Sequence, residues 1–202
     1  APVDRETSEH FGAGAREFSQ TVDRSLATCE QRLKRPGMPA SPYRRLDAGA
    51  IGSLAMGYPT QLCEPDDRRL LDCVEFLLEK CFVKGAFYQD MIHSGLNAYL
   101  TLHVAQVLLR AGDPRFLELV DAVAGLASPT GQWPEAIHPA TGGGCMGDGH
   151  HVWASAEWVL MVRNCFVREE GDRLILGAGI PPRWLAQEKP IRFGPAPTSF
   201  GT

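Results

Sequence analysis

The pattern of hydrophobic and polar positions changes along the chain, from helical in the first two thirds to irregular near residue 128. Residues 5–34 carry apolar side chains at helical spacing, namely Phe11, Phe18, Val22, Leu26 and Leu33. This spacing predicts one amphipathic helix, which the proline- and glycine-containing run 35–39 ends, because proline cannot continue a helix. The small residues after Asp47 predict a second, short helix that stops at Tyr58-Pro59.

The middle of the chain has the clearest helical periodicity. Wide apolar faces predict helices from residue 65 to about 82, from about 94 to 110, and from 115 to 126. The links between them are short, and short links place successive helices antiparallel to each other. The pattern therefore predicts an architecture of helical hairpins.

Residues 128–149 show neither helical nor strand periodicity. A long irregular segment inside a compact domain is usually functional or disordered, and this one is nearly uncharged and contains Trp133, Ile137 and Met146. We therefore expect an ordered loop that lines a site. A helix over 150–164 follows, and then two short strands joined across Glu170-Gly171-Asp172. We divide the chain into a helical-hairpin domain, 1–164, and a β-hairpin with an extended tail, 165–202.

Composition excludes several classes of protein. The 202 residues are 44% hydrophobic and 22% charged, which is ordinary for a chain with a buried core. Twenty Lys and Arg against 24 Asp and Glu give a net charge of −4, so we expect no nucleic-acid partner. No apolar run approaches the roughly 20 residues of a membrane span, so we expect no membrane partner either. The six cysteines show no CxxC spacing, and no secretory signal is visible, so we expect reduced thiols in a cytoplasmic protein.

The irregular segment contains most of the side chains that could carry chemistry. Glu135 follows Trp133-Pro134, so a stiff backbone places a carboxylate beside an aromatic wall. Such a carboxylate can act as a general base on water or accept hydrogen bonds from sugar hydroxyls. The alternative is that Glu135 caps a turn and Trp133 fills the core. Asp90 and His93, which precede a strong helix, are further polar candidates for the same cavity.

A metal site is a weaker interpretation. Cys145, Asp148, His150 and His151 lie close together in sequence with His138 nearby, but adjacent histidines on a helix point about 100° apart and rarely bind one ion. We therefore expect no metal. No GxGxxG, P-loop, GxSxG or HExxH motif occurs, which disfavours nucleotide-binding, serine hydrolase and zincin functions. We expect no cofactor.

Four segments together resemble the last part of the six-hairpin glycosidases. They are Gly-Gln-Trp-Pro-Glu at 131–135, Gly-Asp-Gly-His-His-Val-Trp-Ala-Ser-Ala-Glu-Trp at 147–158, Gly-Ile-Pro-Pro-Arg-Trp-Leu at 179–185, and the helix-like run 93–103. The resemblance covers about residues 40–202 in order, although each piece alone is weakly specific. It implies a mainly α fold, made of helical hairpins of an (α/α)6 toroid, with a short C-terminal β-hairpin that leads towards a β-sandwich.

The same resemblance implies a role for each matching residue. Glu135 matches the catalytic base that activates water in these inverting enzymes, and Trp133 and Trp153 match positions near the sugar. His93, Asp148 and His151 are candidate hydroxyl binders, and Asp90 is a weak candidate for an acid or a sugar ligand. The family's general acid lies upstream, and no residue here matches it.

We expect that this chain supplies about half the helices of a complete barrel, as the C-terminal part of a carbohydrate-active enzyme that is inactive alone. The expected partners are a carbohydrate substrate and either the rest of the parent chain or a second copy, joined through exposed helix faces. The alternatives are a toroid that binds a glycan or a protein without turnover, and a metal-dependent toroid that uses Cys145 and the histidines.

Overall fold

The computed structural model of the protein describes residues 4–90, 94–147, 149–186 and 189–201. This part of the chain is mainly α-helical with short antiparallel strands. The helices are α1 (Arg5–Leu33), a 3-10 helix (Ala48–Met56), α2 (Arg68–Lys80), α3 (Ala98–Ala111), α4 (Phe116–Gly125), α5 (Val152–Phe166) and α6 (Pro182–Leu185). The mainly α fold with a C-terminal β-hairpin is therefore confirmed, whereas the toroid remains a prediction.

Helix α3 forms the centre of the core. It packs against α4 on one side and α5 on another, and the 3-10 helix also contacts it. Its side chains Leu102, Val104, Ala105 and Leu108 are fully buried. The helix ends at Gly112, which has a φ of 72° and whose N–H bonds back to the carbonyls of Leu108 and Leu109. This left-handed C-cap turns the chain sharply into α4, as the predicted antiparallel hairpin requires.

Seven short strands complete the described fold: β1 (Phe82–Val83), β2 (Ala86–Gln89), β3 (Gly95–Leu96), β4 (Ala136–Ile137), β5 (Gly144–Met146), β6 (Val167–Glu170) and β7 (Arg173–Leu176). Strands β1 to β5 form one antiparallel sheet in sequence order, and β6 pairs with β7. The predicted hairpin after α5 is thus confirmed. The five-stranded sheet was not predicted, because strands of two to four residues are too short to show alternation.

The sheet corrects two predicted helix boundaries. Helix α2 ends at Lys80 rather than near residue 82, because Phe82 pairs with Phe87 of β2. Helix α3 starts at Ala98 rather than near residue 94, because Gly95 and Leu96 form β3. The predicted irregular segment contributes β4 and β5 to the same sheet. None of the described helices has the length and apolar character needed to cross a membrane.

Candidate functional site

Trp133 anchors the segment that precedes β4. Its side chain is only 3% exposed, and its Nε1 donates a hydrogen bond of 2.9 Å to the carbonyl of Val123 in α4. Its ring lies 5.4 Å from that of Trp158, and its carbonyl accepts a 2.8 Å bond from the N–H of His151. The expectation that Trp133 contacts sugar is therefore wrong for this conformation, because no face of the indole is free. The residue fills the core, as the alternative predicted, and ties the segment to α4 and α5.

Glu135 lies two residues further on, and its side chain is half-buried. Gly147, with a φ of 66°, passes close over it, since a Cβ there would lie 3.1 Å from the Glu135 Cβ and 3.6 Å from its Oε2. Within the described ranges, the Glu135 carboxylate makes no hydrogen bond or ion pair. The alternative that Glu135 caps a turn therefore finds no support in these ranges. Burial, and in addition the charge of Glu135, raise the pKa of the Tyr99 phenol. The Trp133 carbonyl, two residues before Glu135, accepts the N–H of His151, whose ring lies 4.9 Å from that of Tyr99.

An aromatic surface lies beside Glu135. The Trp153 indole of α5 stacks on the Tyr99 ring of α3, with centroids 4.7 Å apart and planes 29° from parallel. The His151 ring lies 4.9 Å from Tyr99, and the His103 ring lies 6.1 Å from Trp153. Trp153 is 53% exposed, although it packs on Tyr99. We call Tyr99, His151 and Trp153 the aromatic platform.

A buried contact between a histidine and a carboxylate lies next to the platform. His103 Nε2 lies 3.3 Å from Glu157 Oε1, and Glu157 is 8% exposed. The Tyr58 ring packs edge-on against His103 at 6.2 Å, and the pKa of Tyr58 is raised, chiefly by burial and then by the Glu157 charge. Glu157 Oε2 has no hydrogen-bond partner in the described part of the chain. This pair joins the two helices that carry the platform.

Sequence reasoning missed Tyr99, His103 and Glu157. Tyr99 and His103 are four residues apart in α3, and Trp153 and Glu157 are four residues apart in α5, so each pair lies on one helix face. The signal available in the sequence was a pair of aromatic or polar residues, four positions apart, within each of two otherwise apolar helices. Sequence alone does not show that these two faces meet.

The structure does not bring Asp90 to Glu135. Asp90 follows β2, where Gln89 pairs with Gly95 at the start of β3. Glu135 precedes β4, on the side where β3 leads into α3. Asp90 therefore lies beyond the N-terminal end of β3, and Glu135 lies beyond its C-terminal end. His93 and Asp148, the remaining predicted site residues, lie outside the described residues.

Two of the described residues of the metal hypothesis, His138 and Cys145, make contacts within their own loops and with β3's neighbour Ser94. His138 Nδ1 accepts hydrogen bonds from the N–H groups of Ala140 and Thr141, both at 3.2 Å, and so serves its own turn. The Cys145 thiol lies 3.4 Å from the carbonyl of Ser94. Over the residues that the structure describes, no group of three or more His, Cys, Asp or Glu side chains is placed to hold a metal ion.

The described geometry thus brings the rings of two predicted residues, His151 and Trp153, onto Tyr99, and Glu135 lies in the segment that Trp133 ties to His151. Such an arrangement offers a flat apolar face beside a charged hydrogen-bond acceptor. Comparison with known proteins adds no identification: no family model, no curated protein and no solved structure matches the chain.

Proposed function

We propose that the aromatic platform and Glu135 form a carbohydrate site. The observation that carries this proposal is the half-exposed Trp153 indole, held by its stack on Tyr99 next to a carboxylate without a described partner. The apolar face of a sugar ring packs on an exposed aromatic ring, while its hydroxyls bond to charged acceptors. Tyr99 fixes the indole before the ligand arrives, so little side-chain freedom is lost on binding.

In this proposal Glu135 acts as the general base of an inverting glycoside hydrolase. The carboxylate takes a proton from a water molecule, the water oxygen attacks the anomeric carbon, and the glycosidic bond breaks towards the leaving oxygen. A second carboxylic acid about 6.5–9.5 Å away protonates that oxygen. We assign this acid to the rest of the parent enzyme implied by the resemblance, because Asp90 lies at the far end of β3.

One observation favours the alternative of binding without turnover. Glu157, the carboxylate next to the platform, is buried and paired with His103. In that position it contacts His103 and is not exposed to a ligand. A site with Glu135 alone would bind glycans but lack protonation of the leaving group, which contributes about 10²–10⁴-fold to such reactions.

A glycosyl fluoride separates the two functions in this chain. Fluoride leaves an anomeric carbon without needing a general acid, so a site that has only the base still hydrolyses this substrate. We expect the wild-type chain to release fluoride from α- or β-glucosyl fluoride, and Glu135→Gln to lose this release while still binding gluco-oligosaccharides in calorimetry.

Glu118→Gln is the matched control, because Glu118 is an exposed carboxylate of α4. It is expected to behave as the wild type does. Binding without fluoride release in the wild type supports the non-catalytic alternative. Absence of both binding and release contradicts the carbohydrate site.

A further inference from the structure

A cavity distinct from the aromatic platform lies where α3, α5 and β6 meet the chain that follows the 3-10 helix. Its volume is about 270 Å³, far more than the roughly 10–15 Å³ that one water molecule needs. Gln106 and Arg110 line it from consecutive turns of α3, Asn164 lines it from α5, and Arg168 lines it from β6.

The buried charges at this cavity do not cancel. Arg110 bonds to both oxygens of Glu170 through Nε, each at 3.1 Å, and Arg168 Nε lies 3.6 Å from Glu170 Oε2. Arg110, Arg168 and Glu170 are 7%, 9% and 8% exposed. Two buried guanidinium groups therefore share one buried carboxylate. An uncompensated charge in a protein interior is costly, so this group has one positive charge in excess.

The neighbouring Arg163 does not alter this balance. It pairs with Glu169 through two bonds of 2.8 and 2.9 Å, so these two charges neutralise each other. Burial is also the chief reason why the pKa of Arg168 is lowered from its usual value, as expected for a cation that lacks sufficient compensation.

Two side chains at the cavity have buried donors without a partner in the described chain. Arg168 Nη1 and Gln106 Nε2 are buried without a hydrogen-bond partner in the described chain, whereas Arg168 Nε lies 3.6 Å from Glu170 Oε2. The other end of the Gln106 amide is occupied, since its Oε1 accepts a 3.0 Å bond from Asn164 Nδ2. This bond fixes the orientation of the amide and leaves its N–H group available. A ligand that satisfies these atoms must accept hydrogen bonds.

We propose that this cavity binds a small oxyanion, held by the Arg168 guanidinium and the Gln106 amide. Water would satisfy the donors but not the charge, whereas an oxyanion satisfies both. Charge-assisted hydrogen bonds from a guanidinium are among the strongest in proteins, and they suit phosphate, sulfate and carboxylate groups alike. The site is independent of the carbohydrate proposal, since it uses none of the platform residues.

The test is a titration of the full 202-residue chain with sodium phosphate, sulfate or acetate, followed by thermal unfolding and calorimetry at an ionic strength matched with sodium chloride. We expect at least one oxyanion to raise the melting temperature saturably, beyond the effect of chloride. The response to the three salts distinguishes a tetrahedral anion from a carboxylate.

Three variants locate the effect. Gln106→Glu keeps the acceptor for Asn164, removes the free donor and supplies a negative charge, so it should abolish the response to the anion. Arg168→Met removes the excess charge and should weaken binding at least about tenfold. Arg183→Gln is the control, because Arg183 is an exposed arginine paired with Asp121, and it should respond as the wild type does.

If Arg168→Met does not fold, Gln106→Glu decides the question alone. The proposal is overturned if no oxyanion acts beyond chloride in the wild type, or if Gln106→Glu keeps the wild-type response.

Discussion

Trp153 and Tyr99 come from different helices and stack with ring centroids 4.7 Å apart. Tyr99 is in the first turn of α3 and Trp153 in the first turn of α5, so the stack lies where the N-terminal ends of two packed helices meet. Trp133 brings Glu135 to the same place, since its carbonyl accepts the His151 N–H at the start of α5. The buried Trp133 thus positions the Glu135 carboxylate near the half-exposed Trp153.

Replacing Trp153 by alanine should weaken binding of gluco-oligosaccharides by up to about tenfold, because one aromatic contact contributes about 0.5–1.5 kcal/mol. The free energy of unfolding should change by less than about 1 kcal/mol, since the side chain is half-exposed. Calorimetry and urea denaturation measure the two effects. Trp184→Ala is the control, because Trp184 is also partly exposed but packs near Phe166, and its loss should leave binding unchanged. Equal losses in the two variants would argue against a specific platform.

Replacing Trp133 by alanine should have the opposite profile and lower the free energy of unfolding by about 3–5 kcal/mol, as expected for a buried large aromatic residue. Trp133→Phe should cost less, because it retains most of the apolar volume and loses mainly the bond to the Val123 carbonyl. Urea denaturation measures both. A cost below about 1 kcal/mol for alanine would show that this side chain does not anchor the segment.

The cysteines should differ strongly in reactivity. Cys73 is fully buried, and burial raises the pKa of its thiol to about 11, so very little thiolate forms near pH 8. Cys145 is exposed. Iodoacetamide should therefore modify Cys145 in the native protein and reach Cys73 only after unfolding, as read by peptide mass spectrometry with Cys145→Ser as the control. Equally fast labelling of both thiols would contradict the packing around Cys73.

The stabilising effect of Glu169 should depend on pH. Hydrogen bonds from Arg163 are the main reason why the pKa of Glu169 is lowered. A carboxyl with a lowered pKa in the folded state stabilises the protein above its unfolded pKa of about 4.3, and this contribution is lost as the pH falls through the folded value. Glu169→Gln should therefore cost about 1 kcal/mol at neutral pH and much less in acid. An unchanged cost at pH about 3 would contradict this assignment.

The sequence predicted the long elements well, because α1 and the helix that became α3 repeat their apolar residues over many turns. It did not predict the five-stranded sheet, since strands such as Gly95–Leu96 are too short to alternate and depend on partners about 40 residues away. The same sheet explains why both boundaries next to it were wrong.

The candidate site was predicted only in part, because some of its residues come together through contacts between distant parts of the chain. Local context singled out Glu135, and Trp153 came only from the resemblance. Neither could decide whether Trp133 faced a ligand or the core, because both positions suit a tryptophan. Tyr99 and Glu157 depend on the packing of α3 against α5, and no local pattern specifies which helix faces meet.

The most direct test of the carbohydrate site uses the indole N–H signals of the four tryptophans in a two-dimensional ¹⁵N–¹H NMR spectrum. Single Trp→Phe variants assign the signals, and the chain is then titrated with gluco-oligosaccharides. We predict that the Trp153 signal shifts saturably, that the buried Trp133 signal and the distant Trp184 signal stay in place, and that Glu135→Gln gives the same pattern. A titration in which the Trp153 signal does not move at saturating sugar, or in which only Trp184 responds, would contradict the account.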